Sequence, residues 1–124
     1  MFNFRKKKTA KDPMEWFFDP ARQSDKGGCY VSKAILDGTG KLTWCIRHKS
    51  LNPYDTGWEF YADTDTEETS EDPNNFSICA FKTVIEIEPA VLEIFNMPVG
   101  ADICLERDGR KLQFVYSETG EPIK

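Results

Sequence analysis

Histidine occurs once in these 124 residues, as His48, and no two cysteines stand as C-x-x-C. Zinc sites draw on clustered thiolates and imidazoles, so Cys29, Cys45, Cys79 and Cys104, spaced by 16, 34 and 25 positions, do not compose one. No apolar run approaches the roughly 20 residues needed to cross a bilayer. The basic "RKKK" near the amino terminus has no apolar stretch behind it, so a secretory signal is not expected and the cytoplasm is the expected location. A phosphate-cradling loop is missing too: "DGTGK" lacks the spacing before Lys-Ser/Thr, no helix is expected after it, and it reads as a hairpin turn. No internal repeat, low-complexity tract, metal set or cofactor motif is present.

What is there suits a folded domain. Hydrophobic residues make up 40% and aromatics 13%, enough to bury a core in a chain of this length. We read residues 1–12 as a basic, flexible tail and residues 13–124 as a single domain. The tail carries a charge of +4 and the remainder −9, making the formal −5. An acidic body disfavours nucleic acid and membrane surfaces and favours basic protein partners through long-range steering. Each cysteine lies among apolar or aromatic neighbours ("GGCYV", "TWCIR", "SICAF", "DICLE") and reads as a small buried hydrophobe. A Cys–His nucleophile is disfavoured, because His48 between Arg47 and Lys49 is expected on a solvated strand end.

"DPMEWFF" has the form of a helix start, with Asp12 as N-cap, Pro13 at the first position and Glu15 closing the box. "CYVSKAIL-DGTG-KLTWCIR" has the form of a β-hairpin. "WEFYA" is a short third strand with Trp58 and Phe60 on one face and Glu59 and Tyr61 on the other. After the acidic connection "DTDTEETSEDPNN" comes a strand, "FSICAF". "KTVIEIE" is ambiguous between a T-x-x-E helix start at Thr83 and a strand. "PAVLEIFN" is a short helix with Pro89 in its first turn. "ADICLER-DG-RKLQFVYSE" is a hairpin turning at Asp108-Gly109. The expected class is α+β, mainly an antiparallel sheet built from hairpins, with two short helices and no long βαβ crossover.

The acids after the third strand admit three chemistries. As a calcium loop, Asp63, Asp65 and Glu67 would occupy positions 1, 3 and 5, but position 6 is Glu68 instead of Gly and position 12 is Asn74 instead of Glu, so an EF-hand fails. As a catalytic pair they would need a fixed separation in a cleft and one raised pKa, whereas acids on a hydrophilic connection are usually solvated. The third chemistry is a charged face for another protein. Just before it, "D-T-G-W" reads as a corner: Asp55 accepts backbone hydrogen bonds, Gly57 takes a positive φ, and Trp58 enters the core.

The same stretch, "RHKSLNPYDTGWEF" followed by "TEE" and "DPN", resembles a bacterial family catalogued as a domain of unknown function and related to the immunity-protein-thirty-three group of polymorphic-toxin systems. Its pattern runs Arg, Asn, Asp-Ser-Gly-Trp-x-Phe, then Gly-Asp-Glu-Thr-Glu-Glu. Arg47, Asn52, Asp55, Gly57, Trp58, Phe60, Thr66, Glu67 and Glu68 match in register. The chain departs at Thr56, where the family has Ser, and at Asp63-Thr64-Asp65, where it has Gly-Asp-Glu. The likeness extends over about residues 29–107.

That resemblance implies a non-enzymatic domain that neutralises a toxin by binding it. Combined with the acidic body, it leads to an expected partner, a basic protein toxin met by Asp55, Asp63, Asp65, Glu67 and Glu68, with Tyr54 and Tyr61 as aromatic anchors. Gly57, Trp58 and Phe60 are assigned to structure. The alternative is a structural or regulatory domain with no toxin partner. The sequence leaves the oligomeric state open.

Overall fold

The computed structural model describes residues 27–123; the expected tail and the helix beginning at Asp12-Pro13 lie outside them. The described elements are β1 (Gly28–Ser32), α1 (Lys33–Asp37), β2 (Leu42–Arg47), β3 (Asp55–Ala62), α2 (Glu67–Ser70), a 3₁₀ turn (Pro73–Asn75), β4 (Phe76–Ala80), α3 (Phe81–Ile87), a second 3₁₀ turn (Pro89–Ile94), β5 (Asp102–Asp108) and β6 (Lys111–Tyr116). All six strands join one sheet in the order β4-β1-β3-β2-β5-β6. Every neighbouring pair is antiparallel except β1 with β3. The class is α+β.

The route through the sheet differs from a chain of hairpins. β1 and β2 do not pair, because "KAILD" coils into α1 and β3 inserts between them. Ile35 is thereby turned into the core, and Gly38, at φ 82°, stops the helix in the left-handed region. Thr39 then donates its amide and hydroxyl to Asp37 Oδ1 (2.9 and 2.6 Å), which closes the turn and holds the Asp37 carboxyl below its usual range. The connection from β1 through α1 and β2 to β3 is therefore a crossover, which the hairpin reading excluded.

Three smaller expectations also shift. The ambiguous "KTVIEIE" is helical: Phe81 and Val84, three apart, both point into the core, and the helix opens at Phe81 rather than at Thr83. In the last hairpin Asp108 pairs with Lys111, so the two turn residues are Gly109 and Arg110, one position beyond the expected pair. Short helical elements exceed the expected two, because α1, α2 and α3 and both 3₁₀ turns lie among the described residues.

Alternation along the strands sorts side chains onto two faces. On one, Cys29, Val31, Cys45, Trp58, Phe60, Ile103 and Leu105 pack against Ile35 of α1, Phe81 and Val84 of α3, and Val91 and Ile94. The rings of Phe60 and Phe81 lie 5.9 Å apart, and Phe95 meets Phe81 edge-on at 4.8 Å. The other face carries Tyr30, Ile46, Tyr61 and Phe76 with Trp44 and Ile78 beside them. All four cysteines are free thiols. Cys29 and Cys45 are buried as expected, whereas Cys79 and Cys104 are only partly so, Cys104 Sγ lying 3.3 Å from Ser117 Oγ. Burial pushes the Cys45 thiol well above its usual range, with Cys104 and Glu88 adding to the rise and Arg107 opposing it.

Candidate functional site

The stretch from Arg47 to Asn75 is organised by three side chains, each satisfying backbone groups that would otherwise be orphaned. The first is Asp55. Its Oδ2 accepts from Leu51 N (2.8 Å) and its Oδ1 from Gly57 N (2.9 Å), while its own amide donates to Asn52 O (3.1 Å). Asn52 Oδ1 accepts from Tyr54 N (2.8 Å), so the turn is tied from both ends.

The corner lies within β3, which begins at Asp55 and not at Trp58. Gly28 of β1 pairs with Asp55 and Tyr30 with Glu59, so Cys29 alone stands opposite Thr56, Gly57 and Trp58. This is a bulge, and Gly57 occupies it at φ 84° with its carbonyl accepting from His48 N (2.8 Å). Thr56 Oγ1 bridges the same bulge, donating to Gly28 O (2.7 Å) and accepting from Trp58 N (3.1 Å). A Ser hydroxyl would make the same two bonds, which is why Thr at this position leaves the corner intact.

Arg47 is the second organiser. Its Nε donates to Thr56 O (2.9 Å), and its Nη1 to Phe95 O (3.1 Å) and Met97 O (2.6 Å). The guanidinium carbon lies 5.8 Å from the centroid of the Trp58 ring, and Trp58 Nε1 adds a further bond to Phe95 O (3.2 Å). Arg47 therefore clamps the segment after the second 3₁₀ turn onto the end of β2.

Asp65 is the third. Its Oδ2 accepts from Ala62 N (2.8 Å), and its Oδ1 from Thr69 Oγ1 (3.0 Å) and Asn75 Nδ2 (2.9 Å). Thr66 caps α2 through a reciprocal exchange with Thr69. Around this knot Asp63, Glu67, Glu68, Glu71 and Asp72 are exposed. Asp63 Oδ1 also accepts from Lys41 N (2.9 Å), fastening the loop to the start of β2.

The residues expected at a partner contact thus separate. Asp63, Glu67 and Glu68 reach solvent, and Tyr54 and Asp65 do so in part. Asp55 and Tyr61 do not: they are 3% and 1% exposed, and the bonds that satisfy them are internal. Gly57, Trp58 and Phe60 lie in the interior beside them.

One titratable cluster escaped the sequence reading. Glu59, fully buried, accepts from Tyr61 Oη (3.0 Å), and His48 Nε2 approaches the same Oε1 at 3.1 Å, at ion-pair distance but poorly aligned for a hydrogen bond. His48 is consequently not a solvated strand end. Beside this cluster Trp44 Nε1 donates to Asp102 Oδ1 (2.6 Å), and its ring packs at a tilt against that of Tyr61, 4.6 Å between centroids. Strand alternation placed Glu59 and Tyr61 together; what it lacked was any sign that their face is interior. Among the described residues, no three His, Cys, Asp or Glu side chains group closely enough to hold a metal ion. No helix among them is long and apolar enough to cross a membrane.

Comparison with known proteins bears on this arrangement. No curated protein and no solved structure matches the chain. The family model described as Immunity protein Imm33 domain matches residues 29–115, from the second residue of β1 into β6. The matched span holds all three organising side chains and the whole acidic connection, and the chain belongs to the Imm33 immunity protein domain family.

Proposed function

We propose that this protein protects against a toxin by binding it stoichiometrically, without chemistry, and that the Asp63–Asp72 connection forms part of the contact. Family membership supports the immunity role. The observation that carries the acidic contact is the division of labour within the connection: Asp65 spends its carboxylate on the loop's own fold while Asp63, Glu67, Glu68, Glu71 and Asp72 face solvent. Charges held on a preordered loop steer a basic partner without the entropic cost of ordering the loop on binding. Glu67 and Glu68 also occupy the first turn of α2, where the helix end favours them. Tyr54, half-buried beside the Asp55 turn, lies at the opposite end of β3 from the connection, so as an aromatic contact it would serve a separate part of the toxin's footprint.

The test uses a basic toxin-like protein, which this reading expects to be encoded beside the gene. Reversal of Glu67, Glu68 and Glu71 to lysine is expected to slow association about tenfold or more at low salt, with little change in dissociation, and the difference should fade at high salt. Equal association rates would remove the acidic contact. Failure of the chain to protect cells expressing that toxin would favour the alternative, a structural or regulatory domain without a toxin partner.

A further inference from the structure

We infer that the groove between the 97–102 segment and the 116–121 turn is a second docking surface, and that it takes a segment of a protein partner carrying basic side chains next to an apolar one. The nature of the partner rests on the binding role proposed above; the groove's chemistry does not.

The groove lies at the far end of the sheet from the acidic connection. β3 runs out at Ala62, paired with Leu42, and the connection begins there; the groove opens beside Asp102, paired with Ile46 at the other end of β2. Its volume is about 730 Å³, room for a few side chains. Two exposed large hydrophobic residues line it, Val99 at 58% and Tyr116 at 43%. Asp102, Glu118 and Glu121 line it as well, and among the described residues no Lys, Arg or His does. Asp102 is committed in part to Trp44, which leaves Glu118 and Glu121, both exposed, as the carboxylates that meet an incoming cation.

Both walls are built in advance. Arg47 holds Met97 O through its side chain, and its backbone exchanges bonds with Ala101 O (2.9 Å) and Gly100 N (2.8 Å). Opposite, Tyr116 N donates to Glu121 O (2.8 Å), Gly120 N to Tyr116 O (2.8 Å) and Ser117 N to Asp102 O (3.0 Å). Exposed apolar side chains next to carboxylates, on walls fixed by backbone bonds, suit a lysine or arginine whose stem lies on Val99 and Tyr116 while its head meets Glu118 and Glu121. An acidic or wholly apolar segment would leave those carboxylates desolvated and unpaired.

The probe is an acetylated, amidated Lys-Phe-Lys tripeptide, followed by amide chemical shifts on the full chain, with Glu-Phe-Glu as the control. Saturable shifts at Val99, Gly100, Tyr116 and Thr119 are expected with Lys-Phe-Lys alone, and they should be lost in the Val99→Asp and Glu118→Lys variants. Both positions are exposed, so an unchanged melting curve will show that each variant folds. Absent shifts, or equal shifts with both peptides, would overturn the inference; so would shifts confined to the Asp63–Asp72 connection. With the neighbouring toxin, Val99→Asp should raise the dissociation rate about tenfold, whereas reversal in the acidic connection acts on association. A chain that binds the tripeptide in the groove but binds no toxin would retain the surface and discard the toxin.

Discussion

Gly57 and His48 face each other across the β2–β3 pair so closely that no side chain fits between them. His48 N donates to Gly57 O at 2.8 Å, and a Cβ on Gly57 would collide with the His48 carbonyl. The positive φ of Gly57 is set by the bulge, and the bulge is set by the two backbone amides that Asp55 holds at 2.8 and 2.9 Å. Asp55, Gly57 and Trp58 therefore act as one device: the aspartate forms the corner, the glycine permits it, and the tryptophan fills the core behind it.

Gly57→Ala should accordingly be among the most damaging substitutions in the chain. Backbone strain alone is worth about 1–3 kcal/mol, and the collision with His48 adds to it. Asp55→Ala should cost on the order of 2–3 kcal/mol by stranding the Leu51 and Gly57 amides. Urea denaturation of both variants measures this, and a wild-type midpoint for either would break the link between aspartate and bulge.

Arg47→Lys retains the charge but loses the fork. The lysine ammonium cannot reach Thr56 O, Phe95 O and Met97 O together, so stability should fall by about 2 kcal/mol. Hydrogen exchange at Gly100 and Ala101 should quicken more than exchange in β1. Uniform change across the sheet would mean that Arg47 does not clamp the 95–101 segment specifically.

The acids of the connection should divide into two groups under alanine substitution. Asp65→Ala removes the acceptor for Ala62 N, Thr69 Oγ1 and Asn75 Nδ2 and should cost about 1–3 kcal/mol. Glu67→Ala and Glu68→Ala, on exposed positions, should stay within about 0.5 kcal/mol of wild type. Thermal melts of the three single variants distinguish a carboxylate that folds the loop from carboxylates that the loop displays.

Cys45 yields a prediction in pH. Its native thiol is held above the usual range by burial, so the native chain keeps a proton that the unfolded chain releases once the pH passes about 8.5. The stability linked to Cys45 is thus complete below that value and is lost as the pH rises from there through the raised native value. Denaturation of wild type and Cys45→Ala from about pH 7 to about pH 10 should show the wild-type advantage shrinking; an advantage constant in pH would refute it.

Much of the local structure was readable from residue order alone. Alternation put Trp58 and Phe60 on one face and Glu59 with Tyr61 on the other, and the β5–β6 hairpin announced itself, though its turn lies one residue later than the Asp-Gly pair suggests. Periodicity failed at "KAIL", where aliphatic residues that alternate acceptably as a strand are wound into α1. Three apolar residues between Lys33 and Asp37 suit either geometry, and the choice fell to the core, which needed Ile35 in its interior and the strand position for β3. The candidate contact residues show the same limit. Asp55 and Asp63 look alike in sequence, yet one is interior and the other faces water.

By itself the amino-acid order determined the α+β class, the acidic character of the body and the corner at Asp-Thr-Gly-Trp, because each follows from short-range rules of pattern, charge and backbone freedom. Tertiary structure alone decided which carboxylates remain outside, that β1 runs parallel to β3, and that Arg47 builds a groove wall from the 97–101 segment. Those outcomes depend on which distant segments meet. Backbone groups brought together in that way take whatever side chain lies within reach, and no local pattern specifies which one that will be.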